Sequence, residues 1–133
     1  SNAMWQEWFF AYLIQKDHQA DPRAMNGYDV IKIAVENNSR LATQTWGGLR
    51  IGKIEKGAAA DLILVDYHPI TPLNTGNLPW HILFGFRDGM VTSTIAGGKL
   101  LMKDRKLLLL DEVEIAAKAR EAAMRCWNRV NSY

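Results

Sequence analysis

Two adjacent glycines, Gly97-Gly98, stand between two short apolar runs, and this arrangement constrains the fold more than any other part of the sequence. The run Met90–Ile95 precedes the glycines and the run Lys99–Met102 follows them. A two-residue glycine turn between strand-like runs indicates a β-hairpin, because such turns need positive φ angles that glycine adopts without strain. The sequence therefore predicts a pair of antiparallel strands in the last third of the chain.

Further strands are predicted on either side of this hairpin. Leu62–Asp66 is short, β-branched and apolar, which is typical of a buried strand. Lys106–Leu109 follows a turn and predicts a third strand-like run after the hairpin. Between them, the proline-rich stretch Tyr67–Pro79 predicts a long ordered loop, and the apolar stretch Trp80–Phe86 predicts a helical turn.

Helical periodicity marks the first part of the chain. One helix is expected from Trp5 to about His18, because its large apolar side chains recur at i, i+3 and i+4. A second helix is expected from Tyr28 to Trp46, opened by Asn26 or Gly27. Its predicted core stripe consists of Val30, Ile33, Ala34, Leu41 and Ala42. The polar triplet Asn37-Asn38-Ser39 is a weak centre at which this helix could break.

A third helix is predicted from Asp111 to about Asn131. Asp111 is the expected N-cap, Glu114 completes a capping-box pattern, and Leu110 with Ile115 can form a hydrophobic staple. The predicted fold is therefore α+β: two N-terminal helices, a small β-sheet with the Gly-Gly hairpin, and a C-terminal helix.

Composition excludes several classes of protein. The formal net charge of +2 is too small to indicate nucleic-acid binding. No apolar run reaches the ~20 residues that a membrane span requires. Cys126 is the single cysteine, which excludes an internal disulfide framework and a cysteine-rich metal site. We therefore expect a cytoplasmic protein without nucleic-acid or membrane partners.

No catalytic motif is visible in the residues themselves. The three histidines, His18, His68 and His81, have no histidine, cysteine or carboxylate at metal-ligand spacing. His81 could line a pocket, but a packed histidine bonded to backbone is the favoured interpretation. Asp61 and Asp66 bracket the predicted strand and should point to opposite faces, which disfavours a carboxylate pair.

Two other features admit both a functional and a structural interpretation. Cys126 has Arg125 and Arg129 nearby, which could activate its thiol, but an unreactive and partly buried helical cysteine is favoured. The aromatic cluster near the start of the chain could be a binding surface or a core whose partner lies elsewhere. This cluster consists of Trp5, Trp8, Phe9 and Phe10.

One motif extends the argument beyond composition. A helix ending near Gly47 is followed by the pattern Ile-Gly-x-Ile-x-x-Gly-x-x-Ala-Asp-Leu from Ile51 to Leu62 and then by the strand. Gly52 and Gly57 can supply the turn conformations, and Asp61 can cap the loop that enters the strand. This stretch resembles the C-terminal signature of the amidohydrolase superfamily.

The similarity continues along the chain. Val91–Met102 is similar to the closing hairpin of that family. Leu73–Phe86 resembles the branch of aminohydrolases and chlorohydrolases related to guanine and cytosine deaminases. The resemblance implies hydrolysis of C–N or C–Cl bonds of small amino- or chloro-substituted rings.

The family's metal site does not map onto this chain. Members of the family are TIM-type barrels with a β-sandwich built from both chain ends, and they hold a divalent metal such as zinc or iron. Their metal ligands include a His-x-His, which this sequence lacks. A barrel alone needs about 250 residues. We therefore expect no catalytic, cofactor-binding or metal-binding residue in this chain and an inactive C-terminal fragment of a metal-dependent hydrolase.

The resemblance also implies a division of the chain. Residues 4–46 would be the end of the barrel, and Ser1-Asn2-Ala3 before Met4 predicts an expression tag at residues 1–3. Residues 47–110 would be the C-terminal part of the sandwich, and 111–133 a terminal helix. A stand-alone, non-enzymatic module that self-associates is the alternative, and both readings predict a homodimer or higher oligomer through exposed apolar faces. A third and disfavoured reading is a complete small enzyme that uses His81 with Asp66 or Asp88.

Overall fold

A computed structural model of the chain describes residues 3–132. Of the predicted tag at residues 1–3, Ala3 lies within this range and residues 1–2 lie outside it. Residue 133 also lies outside the range. The described part is a mixed helix-and-sheet fold, which agrees with the predicted α+β class. Its helices are α1 (Met4–Gln19), α2 (Gly27–Ile31), α3 (Asn38–Thr45), α4 (Leu78–Trp80) and α5 (Glu112–Val130). Its strands are β1 (Leu62–Val65), β2 (Val91–Ala96), β3 (Lys99–Lys103) and β4 (Lys106–Leu107).

The four strands form one antiparallel sheet in the order β1-β2-β3-β4. The predicted hairpin is confirmed: β2 and β3 are joined by Gly97 and Gly98, whose φ angles are 54° and 75°. Asp61 stabilises this turn, because its Oδ1 accepts a hydrogen bond of 2.6 Å from the Gly97 amide. The aspartate expected to cap the loop before the strand therefore caps the neighbouring hairpin.

The helix α1 packs against the segment that follows α4. That segment, His81–Gly85, is a π-helical turn. Edge-to-face ring contacts join Trp5 to Phe86 at 5.4 Å and Phe9 to Phe84 at 5.4 Å between centroids. Such contacts are favourable because the positive edge of one ring meets the negative face of the other. The helical turn predicted over Trp80–Phe86 is thus present and covers one face of the first helix.

The linker after α1 is held by local polar contacts. The Lys16 ammonium donates hydrogen bonds to the carbonyl oxygens of Pro22 and Ala24, at 2.7 and 2.6 Å. The hydrogen bonds of the Arg23 side chain, and that of its backbone amide, hold the pKa of the Asp21 carboxyl below its usual value. Both side chains of this ion pair are exposed enough for water to weaken the attraction, so the pair supports only the local conformation of the linker.

The predicted second helix is present without a break at its polar centre. The α2 segment passes directly into a π-helical segment, Lys32–Asn37, and then into α3. The Asn38 side-chain nitrogen Nδ2 donates to the Ala34 carbonyl at 3.1 Å, and the Ser39 hydroxyl donates to the Ile51 carbonyl. Asn38 and Ser39 thus bond to carbonyl oxygens, and the helix is widened in the segment that ends at Asn37, where its hydrogen-bond spacing changes.

The predicted burial is wrong at several positions. Val30 is buried at 2% exposure, but Ile33 and Leu41 of the expected core stripe are 49% and 62% exposed. The strand β1, expected to be buried, leaves Ile63 and Leu64 largely exposed. The apolar pattern of these elements is that of core segments, but the described chain places no polypeptide over these faces.

The exposed area of the whole chain shows the same feature. The accessible surface is 10296 Å², whereas a compact monomer of 15.0 kDa exposes about 7,000 Å². Among the described residues, the buried hydrophobic core consists of Ala3, Val30 and Leu83, which are 2–5% exposed. The fold is therefore open, and much of its apolar surface is in contact with solvent.

The last helix, α5, is capped as predicted at its start. Asp111 Oδ1 accepts hydrogen bonds from the amides of Val113 and Glu114, at 2.9 and 3.1 Å. The Glu114 carboxylate pairs with Lys118 one turn later, so we find no reciprocal capping-box bond from this side chain. Across residues 3–132, no helix is long and apolar enough to span a membrane.

The cap of α2 gives a direct test of this local structure. Asn26 accepts from the amides of Tyr28 and Asp29, and the Asp29 carboxylate accepts from the Asn26 amide. We expect Asn26→Ala to lower the free energy of unfolding by about 1 kcal/mol. The matched control is Asn38→Ala, which lies inside the helix and should change stability by less than about 0.5 kcal/mol. Thermal unfolding followed by circular dichroism measures both, and equal midpoints would contradict the cap.

Candidate functional site

The half-buried His81 lies in a cluster of polar side chains that could take part in a chemical reaction. It is the first residue of the π-helical turn after α4, and its ring faces the loop that leaves β1. The Tyr67 hydroxyl lies 2.7 Å from His81 Nδ1, and the Thr71 hydroxyl lies 3.5 Å from Nε2. Tyr67 therefore fixes the ring orientation, and Thr71 is at the limit of hydrogen-bond distance. The expected backbone partner of His81 is replaced by two side-chain hydroxyls.

The position of Tyr67 depends on a glycine. A Cβ atom added at Gly85 would overlap the phenol oxygen and ring of Tyr67. The ring of Tyr67 also packs on Phe86, with 4.8 Å between centroids. The small residue in the π-helical turn thus allows the loop after β1 to approach the helical half of the molecule.

An open cleft of about 400 Å³ adjoins this cluster. Its walls combine aromatic rings with side chains that can form hydrogen bonds. The lining residues are Tyr67, Thr71, Asn77, Trp80, His81 and Phe84. A planar ring with polar edges would suit these walls, but the cleft is open to solvent on one side.

The two carboxylates considered as partners of His81 have other roles. Asp66 Oδ1 lies 3.0 Å from His68 Nε2, and Asp66 Oδ2 lies 3.3 Å from an Arg105 guanidinium nitrogen. Asp88 lies in a short 3₁₀ turn and lines a different cleft, next to Trp5. The structure therefore does not join His81 to either carboxylate as an acid–base pair.

The aromatic cluster of α1 is divided between packing and solvent. Trp5 contacts Trp8 at 5.3 Å in an edge-to-face arrangement, and Phe9 contacts Phe84. Phe10 contacts Phe9 but neither Phe84 nor Phe86, and it is 53% exposed. Both interpretations of the cluster are therefore partly correct: one side is core and the other is an open apolar surface.

Cys126 is exposed on α5, so the expectation of a partly buried thiol is wrong. The helix α5 is not covered by the rest of the described chain, which is why the thiol faces solvent. His18 is also exposed, near the end of α1.

A larger cleft was not foreseen from the sequence. It measures about 790 Å³ and lies between the π-helical segment, α3 and residues 50–53. Its lining includes four basic side chains, Lys32, Arg40, Arg50 and Lys53, and one carboxylate, Glu36. Arg50 is paired with Glu55 at 3.0 Å. Lys32, Glu36 and Arg40 are four residues apart on one helix, so they share a face, and the turn after the helix brings Arg50 and Lys53 to them.

The described residues do not form a set of metal ligands. Within residues 3–132, no three histidine, cysteine, aspartate or glutamate side chains lie close enough together to hold a metal ion. The side chains present therefore do not fit a catalytic metal, and no chemical step in this chain is assigned to one.

Comparison with known proteins identifies the family. The model of the Amidohydrolase family matches residues 1–101, which is most of the chain. The chain belongs to the amidohydrolase family. The matched range includes the motif Ile51–Leu62 and the hairpin around Gly97-Gly98, so the predicted family is confirmed.

Relatives of the amidohydrolase chain are named as deaminases. A 5'-deoxyadenosine deaminase of Methanosarcina barkeri is 31% identical over 130 residues, covering 97% of this chain and 29% of the relative. A 5-methylthioadenosine/S-adenosylhomocysteine deaminase of Aquifex aeolicus is 31% identical, covering 88% of this chain and 26% of the relative. The chain therefore spans just over a quarter of the length of these relatives.

A solved structure supports the fold. The crystal structure of an adenosine deaminase from Xanthomonas campestris with bound zinc superposes with a TM-score of 0.72 at 24% identity. The match covers 92% of this chain and 27% of that chain. The arrangement of helices and sheet described above is thus also found within a larger amidohydrolase fold.

The glycine beside Tyr67 allows a test of the His81 cluster. We expect Gly85→Ala to displace Tyr67, remove its hydrogen bond to His81 and lower the free energy of unfolding by about 1 kcal/mol. Gly89→Ala is the matched control, because a Cβ there meets no atom within 4 Å. Chemical denaturation gives the stabilities, and the NMR shifts of the His81 ring report the hydrogen bond. Unchanged His81 shifts in Gly85→Ala would show that Tyr67 does not depend on this glycine.

Proposed function

We propose that this chain is the C-terminal part of a metal-dependent hydrolase that removes an exocyclic amino group from a small ring substrate. The observation that carries the proposal is the alignment of 97% of the chain with 29% of a 5'-deoxyadenosine deaminase at 31% identity. In hydrolytic deamination, water adds to the ring carbon that bears the amino group. The C–N bond then breaks, ammonia leaves, and the carbon keeps the oxygen.

The substrate class follows from the relatives. They are named for adenosine-type nucleosides, so an aminopurine nucleoside is the first substrate to consider. The second substrate class to consider is the broader one of amino- or chloro-substituted rings, including guanine and cytosine. For a chloro-substituted ring, water would replace chloride at the same ring position.

In this proposal, the catalytic metal lies in the part of the parent enzyme that this chain does not include. The crystal structure of the related adenosine deaminase is described with bound zinc, and zinc or iron is the expected metal. The described residues lack a ligand set, which is consistent with a role in completing the fold. In this proposal, residues 4–46 are the end of the barrel, 47–110 belong to the composite sandwich, and 111–133 form the terminal helix.

The large exposed surface supports a chain that packs against more polypeptide. The described chain exposes roughly 3,000 Å² more than a compact monomer of its mass, which is the scale of an obligate interface. Either the rest of a hydrolase or further copies of this chain would cover such a surface. The second case is the alternative proposal: a non-enzymatic module that self-associates as a homodimer or higher oligomer.

An immunoblot of the source cells, followed by an activity assay, separates the two proposals. We expect antibody against this chain to detect a band several times larger than 15.0 kDa, because the relatives are several times longer. Protein captured by that antibody should release ammonia from 5'-deoxyadenosine or a related aminopurine nucleoside. A chelator should abolish the release, and zinc or iron should restore it.

The 133-residue chain, assayed alone, is the control and should release no ammonia. A chloro-substituted ring substrate tests the chlorohydrolase arm by release of chloride. A single band near 15.0 kDa without deaminase activity would contradict the hydrolase proposal and favour the self-associating module.

A further inference from the structure

The cleft of about 790 Å³ between the π-helical segment, α3 and residues 50–53, called the basic cleft below, holds more positive charge than the described chain neutralises. Its cations are Lys32, Arg40, Arg50 and Lys53, and its carboxylate is Glu36. Arg50 is paired with Glu55, which leaves three cations facing one carboxylate. Within residues 3–132, neither Lys32 nor Lys53 forms an ion pair.

The fold holds these charges in place on both sides of the basic cleft. On one side, the four-residue spacing along the helix aligns the charged side chains. On the other side, the Arg50 guanidinium is held by the Glu55 carboxylate at 3.0 Å and by the Lys56 carbonyl oxygen at 3.0 Å. A Cβ atom at Gly57 would lie 2.8 Å from that guanidinium, so the glycine leaves room for it. Cations gathered in this way repel one another, and a negatively charged occupant would relieve the repulsion.

The basic cleft also has an apolar lining, which bears on the kind of occupant. Val35 and Ile51 lie beside the cations, and Val35 is 36% exposed. A small inorganic anion gains nothing by covering these side chains. A segment of polypeptide can place carboxylates on the lysines and an apolar side chain over Val35 at the same time. The lining therefore favours an acidic polypeptide segment over a free anion.

The relatives indicate where such a segment could come from. The chain spans just over a quarter of their length, and it exposes more surface than a compact monomer of its mass. We propose that the basic cleft seats an acidic segment of the parent polypeptide from outside residues 1–133. Lys32 and Lys53 form ion pairs with the carboxylates of that segment. This inference rests on the proposed function, because it requires the longer parent protein.

Zero-length cross-linking of the full-length protein, captured from the source cells, tests these contacts. A carbodiimide joins a lysine amine to a carboxylate as an amide and takes up the water that is lost, so it links only groups already in contact. We expect Lys32 or Lys53 to be joined to an aspartate or glutamate outside this chain. The Lys118–Glu114 pair is the internal control and should be joined under the same conditions. Mass spectrometry identifies the linked peptides.

Acetylation rates show independently whether the basic cleft is covered. The full-length protein is treated, native and denatured, with the acetyl ester of N-hydroxysulfosuccinimide, and each lysine is compared with itself. We expect Lys32 and Lys53 to react several-fold more slowly in the native protein than in the denatured protein. Inorganic phosphate should not change the native rates, because the cleft is already filled.

Three outcomes would overturn the proposal. In the first, Lys32 and Lys53 react equally fast in native and denatured protein, which would show that the cleft faces solvent. In the second, they are protected only after phosphate is added, which would indicate a site for a free anion. In the third, their cross-links reach only Glu36 or Glu55 of this chain.

The size of the captured protein separates these failures from failure of the proposed function. A protein of 15.0 kDa would contradict the proposed function and this inference together. A larger protein that gives any of the three outcomes would contradict this inference alone.

Discussion

The ring of Phe86 is the contact on which the arrangement of the two halves depends. On one side it meets Trp5 of α1 edge-to-face at 5.4 Å, and on the other it packs on Tyr67 at 4.8 Å. Tyr67 follows β1 by two residues, so one ring connects the helical half with the sheet. The hydrogen bond between Tyr67 and His81 and the small Gly85 keep this connection close. His81 is thus best understood as part of the joint between helices and sheet.

Local features of the sequence predicted the fold well. The Gly97-Gly98 turn, the caps at Asn26 and Asp111, and the three helices depend on residues a few positions apart, so the chain itself specifies them. Burial was predicted poorly. Ile33, Leu41, Ile63 and Leu64 follow core patterns but are exposed, because burial depends on what lies across from a face and not on the face itself.

The same contrast between local and long-range determinants applies to the family motif and to the candidate site. The motif Ile51–Leu62 was sufficient to predict the family, and its Gly52 and Gly57 adopt the positive φ angles that their turns require. Tyr67 and Thr71 could not be foreseen as partners of His81, because loop geometry brings them together across ten to fourteen residues. Side chains gathered by tertiary structure leave no periodic trace in a single sequence.

The π-helical segment Lys32–Asn37 also determines the direction in which every later side chain of that helix points. A π-helical turn contains about one residue more than an α-helical turn, so it rotates the following residues by about 100°. Ser39, which is buried and bonded to the Ile51 carbonyl, owes its orientation to that rotation. This turn of the helix therefore contains about one residue more than a regular α-helical turn. A homologue without that additional residue would keep the helix, but its residue equivalent to Ser39 would point in another direction. A different contact would then be needed to hold the loop around Ile51.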